Sequence, residues 1–306
     1  MDIDRQAMAA ALSRLPATCP PGGRGWSAAL ASILEATAPK PGNVHPEAAF
    51  DDLAYEDFVM AGLAIAPALE DAPRVPLGRT ILEAVRASRG VTRSNANLGI
   101  VLLIAPLSAA ATPREVDAVF DSLTPADAAD VWEAIATARP GGLGTNSRDD
   151  LRNPPPPDLR GAMRQAAGHD RIARLWAEGY ADLFAGPVED LASGLAAGQP
   201  LLDAIVRCQL MQLAREPDTL IARRHGGVVA ADVSRRAADV LAAGADWRAA
   251  AARFDASLRA PRRVNPGTTA DLVAAAVYIL LLEGRLPHGI ILAESPPVTP
   301  PHAPAS

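Results

Sequence analysis

The sequence predicts an all-α protein, a single large helical domain folded around one buried central helix. Three observations carry that expectation. Alanine is very abundant and aromatics make up only 4% of the chain, and small side chains of high helix propensity suit closely packed helices. No alternation of strand and helix patterns runs along the 306 residues, which argues against a doubly wound sheet. Residues 97–104, extended by an apolar run to Leu107, are apolar on every face, as a helix at the centre of a fold must be.

The elements follow in order. Residues 26–37 form the first clear helix, and Pro39 and Pro41 stop it. Helices are expected over 55–69, 79–88 and the central segment, then over 113–123 and 125–138, each of the last two opening with proline. Residues 140–157 are irregular, with Gly141-Gly-Leu-Gly144 and a run of four prolines. They suit a domain linker or, in preference, a loop covering a site. Further helices are expected over 159–184, 188–195, 201–214, 228–243, 247–258 and 269–283, and only residues 289–293 look strand-like. The expected organisation is an N-terminal extension over 1–22, an all-α catalytic domain over 23–293 and a disordered Pro-rich tail over 294–306. No repeat of solenoid length is visible.

Nearly half the chain, 49%, is apolar, so a large core is available. The net charge of -6 gives no general attraction to nucleic acid or to an anionic membrane. Cys19 and Cys208 have no metal-like spacing; two cysteines argue against a disulfide framework and for a reducing cytoplasm. The start of the chain lacks the basic and apolar regions of a signal peptide. The longest apolar run, 98–107, falls short of the roughly 20 residues that span a bilayer. A homo-oligomer is left open.

Lys40 is the only lysine, because the other 28 basic side chains are arginine. An ammonium is a compact point charge, whereas a guanidinium is a wide planar fork. Lys40 sits in Pro39-Lys40-Pro41-Gly42-Asn43-Val44-His45, after Glu35. A rigid loop presenting an ammonium, an amide and an imidazole suits a phosphorylated ligand; the plainer reading is a Pro-rich turn after a helix. Further polar islands follow. Arg93, Ser94, Asn95 and Asn97 precede the central helix, where Ser94 and Asn95 suit a cap and the helix start suits an anion. Asp149 and Asp150 suit Mg²⁺ or plain solvation. His169-Asp170-Arg171 reads as an internal salt-bridge element. Asp218, Thr219, Arg223 and Arg224 precede a glycine pair. In Asn265-Pro-Gly-Thr268-Thr269-Ala-Asp271, Asp271 is either a site acid or part of a capping box with Thr268.

Together these islands resemble the triphosphoribosyl-dephospho-CoA synthase family. The matching residues are Glu35, Thr37, Pro39-Lys40-Pro41-Gly42-Asn43-Val44, Tyr55-Glu56-Asp57-Phe58, Asn95-x-Asn97-Leu98-Gly99-Ile100, Asp170-Arg171-Ile172-Ala173, Asp218-Thr219-Leu220-Ile221-x-Arg223 and Asn265-Pro266-Gly267-Thr268-x-Ala270-Asp271-Leu272. They occur in order over roughly residues 30–285. The resemblance implies an all-α fold and transfer of a triphosphoribosyl group from ATP, with loss of adenine, to dephospho-CoA. Two places depart from the family. His45 is read as a displaced family histidine, with the acid that follows it either Asp52 or lost. Asn97-Leu98-Gly99 stands where the best-known members have His-Lys-Gly.

Breaking an N-glycosidic bond builds positive charge on the ribose. It calls for a carboxylate near that carbon, cations on the polyphosphate and a base for the incoming hydroxyl. Glu35, Asp218 and Asp271 are the candidate catalytic acids and the candidate ligands of Mg²⁺ brought with ATP; spacing does not separate the two roles. Lys40 and Arg223 suit the triphosphate, Asn43, Asn97 and Asn265 suit ribose or base edges, and His45 and Asn95 are further candidate substrate-binding residues. A second reading keeps the donor and moves the acceptor to tetrahydromethanopterin biosynthesis. A third is a non-catalytic helical protein that binds a nucleotide.

Overall fold

Helix follows helix through the computed structural model, which describes residues 19–92, 96–138 and 154–286. The N-terminal part comprises α1 (Arg24–Thr37), α2 (Tyr55–Asp71), α3 (Leu77–Val91), α4 (Leu98–Ala109), α5 (Val116–Asp121) and α6 (Pro125–Ala138). Then come α7 (Leu159–Ala166), α8 (Arg171–Glu178), α9 (Glu189–Ala196), α10 (Leu201–Arg215), α11 (Thr219–His225), α12 (Gly227–Ala242), α13 (Trp247–Arg259) and α14 (Gly267–Leu282). No sheet occurs among the described residues. Two isolated bridges, His45 with Ala48 and Phe50 with Leu53, pinch the loop between α1 and α2. The all-α, single-domain expectation holds. Residues 1–18 of the expected extension over 1–22, the tail and the strand-like segment 289–293 lie outside the described residues.

Small residues set the close spacing of α1 and α2. A Cβ on Gly25 would overlap the Ala66 carbonyl, and one on Gly62 would stand 3.0 Å from Ser32 Cβ. α4 is the buried central helix that the sequence predicts, and α14, equally apolar, packs beside it. Pro106 lies within α4 and has no N–H to give to the Leu102 carbonyl. That carbonyl is taken instead by Trp176 Nε1 at 2.9 Å and the Tyr180 hydroxyl at 3.2 Å. At the far end of α4, Ser108 and Tyr278 of α14 share a hydrogen bond of 2.7 Å.

Several boundaries differ from the sequence reading. The expected helix over 159–184 is broken twice. Asp170 caps α8 through the amides of Ile172 and Ala173, and Gly179 (φ 82°) and Tyr180 (φ 63°) turn the chain left-handed. The expected helix over 113–123 begins as a 3₁₀ turn, Pro113–Glu115, before α5. α11 was not expected as a helix; Asp218 caps it.

Candidate active site

The loop after α1 folds back on the helix it leaves. Lys40 is fully buried, and its ammonium donates to Glu35 Oε1 at 2.8 Å, to the Glu35 carbonyl and to the Ala38 carbonyl at 3.4 Å. Its three N–H groups therefore meet three acceptors of the protein itself. The cation also sits at the negative end of the α1 macrodipole. Lys40, expected on a triphosphate, is engaged here in holding Glu35 and the end of α1.

The next residues reach across the chain. Gly42 has φ +81°, and a Cβ there would lie 2.7 Å from the Val264 carbonyl. Its N–H donates to Asp255 Oδ1 at 2.8 Å. Asn43 Nδ2 donates to Asn265 Oδ1 at 2.7 Å, joining two of the expected residues from opposite ends of the sequence. Arg259 donates to the Asn43 carbonyl and stacks on Phe50, which Arg263 also covers. His45 is buried nearby; burial first, and then Arg259, hold its pKa below the usual imidazole value despite Asp255. Asp52, considered as the displaced acid, lies outward and pairs with Arg263.

Asp218 and Asp271 occupy different situations. Asp218 is buried; its Oδ1 accepts from the Ile221 amide at 2.9 Å, and its Oδ2 accepts from Thr269 N at 2.7 Å and Thr269 Oγ1 at 2.8 Å. It thus caps α11 and clips it to the first turn of α14. Burial raises its pKa against the pull of those hydrogen bonds. Asp271 forms no capping box with Thr268, whose hydroxyl meets Thr219 at 3.2 Å. The Asp271 carboxylate lies against Gly99 at the start of α4: a Cβ on Gly99 would overlap Oδ2 and stand 2.9 Å from Oδ1. No hydrogen bond reaches Asp271 among the described residues. Burial, and after it the charges of Glu35, Asp218 and Asp170, push its pKa well above the carboxylate range; Arg223 opposes them.

One coincidence marks this spot. From Thr268 to Leu281 every residue of α14 is buried except Asp271, which is partly buried, and from Leu98 to Ser108 every residue of α4 is buried except Gly99, likewise partly buried. The two interruptions face each other. Around them stand Asn97, whose Oδ1 accepts from Ser88 Oγ at 2.8 Å, and Arg223, ion-paired with Asp170. Arg171 pairs with Glu216 at 3.4 Å, so the His169-Asp170-Arg171 island is an internal salt-bridge element as expected. Asp170 does more than that reading assigned it, since it also anchors Arg223 beside Asp271.

The structure thus brings Glu35, Lys40, Asn43, His45 and Asn265 together on one side, and Asn97, Asp218, Arg223 and Asp271 on the other. The field of Glu35 on Asp271 links the two groups. Asn95, Asp149 and Asp150 lie outside the described residues. The three-carboxylate Mg²⁺ site does not form: among the described residues no group of three acid, histidine or cysteine side chains is placed to hold a metal ion. Lys40 engages Glu35, and helix amides engage Asp218, so of these three acids Asp271 is the one with no hydrogen-bond partner among the described residues. Gly99 and Asp255 were not singled out. Only the motif around Gly99 hinted at it, and Asp255 reads in sequence as a routine i,i+4 partner of Arg259.

The family model for ATP:dephospho-CoA triphosphoribosyl transferase (CitG) matches residues 24–289. The chain belongs to that family. It is a transferase, and its family moves the triphosphoribosyl group of ATP to dephospho-CoA. A solved structure from Archaeoglobus fulgidus, provisionally described as a triphosphoribosyl-dephospho-CoA synthase, aligns with a TM-score of 0.58 at 22% identity. The alignment covers 74% of this chain and 99% of that one. At that identity the likeness speaks for a shared helical fold. No curated protein sequence matches. No single described helix is long and apolar enough to cross a membrane.

Proposed function

We propose that the chain carries out its family's transfer with Asp271 as the group that takes the acceptor's proton. The observation that carries this is the contrast among three acids: Glu35 is paired with Lys40, Asp218 is saturated by helix donors, and Asp271 is neither. The hydroxyl oxygen of dephospho-CoA attacks C1′ of the ATP ribose and gives its proton to Asp271. The bond from C1′ to adenine breaks, adenine leaves with the bonding pair and takes a proton from water, and Asp271 then returns its proton to solvent, so that the proton count closes. A base that works near neutral pH needs a pKa raised from that of an exposed carboxylate, as burial and neighbouring acids raise Asp271.

Positive charge growing on the ribose is met by the carboxylates of Glu35 and Asp271. The amino ends of α4 and α14, with Arg223, offer attraction for the triphosphate. Lys40 acts through Glu35. The described donor set does not fit a protein-built Mg²⁺ site, so Mg²⁺ enters this reading only as the ion the triphosphate itself carries. The two cysteines, both buried and in no disulfide, support a cytoplasmic location. Incubation with ATP and dephospho-CoA, following released adenine by chromatography and the adduct by mass, tests the reading. Asp271→Asn should keep nucleotide binding and lose about 10²- to 10⁴-fold in turnover. Unchanged adenine release in that variant defeats it.

A further inference from the structure

We infer that Asn43 and Asn97 form a matched acceptor and donor for the ribose hydroxyls of the nucleotide donor, and so set a preference for ribo- over deoxyribonucleotides. Both side chains are more than nine-tenths buried, with 6% and 4% exposure. Each is anchored at one end. Asn43 Nδ2 is bound to Asn265 and Asn97 Oδ1 to Ser88. Each is left open at the other: Asn43 Oδ1 and Asn97 Nδ2 are buried without a hydrogen-bond partner among the described residues. Buried polar atoms are nearly always satisfied, so a fixed acceptor and a fixed donor left open together point to a ligand that supplies their complements.

Their placement narrows that ligand. Asn97 precedes α4 two residues before Gly99, which touches Asp271. Asn43 is bonded to Asn265, which directly precedes the first turn of the helix that carries Asp271. Asn97 thus sits on the element that touches Asp271, and Asn43 is tied to the segment that leads into the helix carrying it; the inference rests on the role assigned to Asp271. Hydroxyls on C2′ and C3′ lie one and two carbons from C1′, and a hydroxyl both donates and accepts. A phosphate chain offers acceptors only and would leave Asn43 Oδ1 unmatched. The hydrogen-bonding edge of adenine offers both senses, but across the purine from C1′.

The test compares ATP, 2′-deoxy-ATP, 3′-deoxy-ATP and inosine triphosphate as donors and, by calorimetry, as ligands. The proteins are the wild type, Asn97→Asp and Asn43→Leu, with melting curves to verify folding. Asn97→Asp removes the open donor while keeping the acceptor on Ser88. The wild type should favour ATP over at least one deoxy analogue. Each variant should lose roughly 5- to 150-fold toward ATP, the range for leaving a buried partner unpaired, and much less toward the deoxy analogue lacking its hydroxyl. The ratio of ATP to inosine triphosphate should not move. Equal losses on ATP and both deoxy analogues, or a change confined to inosine triphosphate, would overturn the inference. Repeating the binding arm in Asp271→Asn separates the two claims. Ribose discrimination without turnover upholds the asparagine roles, whereas turnover without ribose discrimination removes them and leaves Asp271 standing.

Discussion

Lys40→Met is expected to destabilise the fold before it affects any ligand. The Glu35 and Lys40 side chains are 4% and 0% exposed, so solvent does little to screen their pairing at 2.8 Å. Removing the ammonium leaves a buried carboxylate with no counter-charge and strips a donor from two carbonyls at the end of α1. Breaking a buried pair from one side costs about 3–5 kcal/mol. For a chain of this size each kcal/mol lowers Tm by roughly 2–4 °C, so the fall should be on the order of 6–20 °C. Urea titration and thermal melting at pH 7 measure it. The double variant Glu35→Gln with Lys40→Met should recover much of the loss, because it removes the orphaned charge as well. A Lys40→Met protein that melts like the wild type, yet binds ATP about 10- to 150-fold more weakly, would refute the buried-pair reasoning and return the lysine to the phosphate.

Three further outcomes follow from the site. Gly99→Ala should displace the Asp271 carboxylate and lower kcat by about 100-fold or more, with little change in Tm, since alanine suits a first helical turn; steady-state kinetics with a melting curve decides it. Asp218→Ala should cost about 2–4 kcal/mol in urea unfolding, because it removes a helix cap and the charge-assisted bonds from Thr269. For Asp271 the folded pKa is raised, so its contribution to stability is full below the unfolded value of about 3.9 and is lost as pH rises through the folded value. Asp271→Asn should therefore melt higher than the wild type at neutral pH, with the gap closing toward pH 4. A gap that widens on acidification would contradict the burial of that carboxyl.

Much of the fold was legible because hydrophobic patterning reports burial directly. The stretch from Leu98 to Leu107 has no polar face to give to solvent, and α4 lies at the centre accordingly. The break at Gly179 and Tyr180 was not legible, since tertiary packing, not local preference, holds a tyrosine in a left-handed conformation. Within the site, residue types pointed to the right neighbourhood and not to the right partners. A lone lysine between prolines announces a fixed ammonium, but whether it faces a ligand or turns back to its own helix depends on how the loop closes. Asp218 before Thr-Leu-Ile-Ala carries a helix-cap signal that the sequence reading, which placed no helix there, did not use. Gly99 carried only its place in the Asn97-Leu98-Gly99 motif, because its meaning lies in a carboxylate far along the chain.

α4 and α14 touch at Gly99 with Asp271 and again at Ser108 with Tyr278, in the same order, so the two helices run in the same direction. Aligned dipoles side by side repel, and a carboxylate meets each positive end: Asp218 accepts from Thr269 N in the first turn of α14, and the Asp271 carboxylate lies against Gly99 at the start of α4. The two helix starts thus stand side by side, and a nucleotide bound between them would bridge α4 and α14. Substrate would then act as a structural keystone: with nucleotide present, amide exchange should slow along α4 as far as Ser108, roughly 14 Å from the chemistry at the helical rise of 1.5 Å per residue.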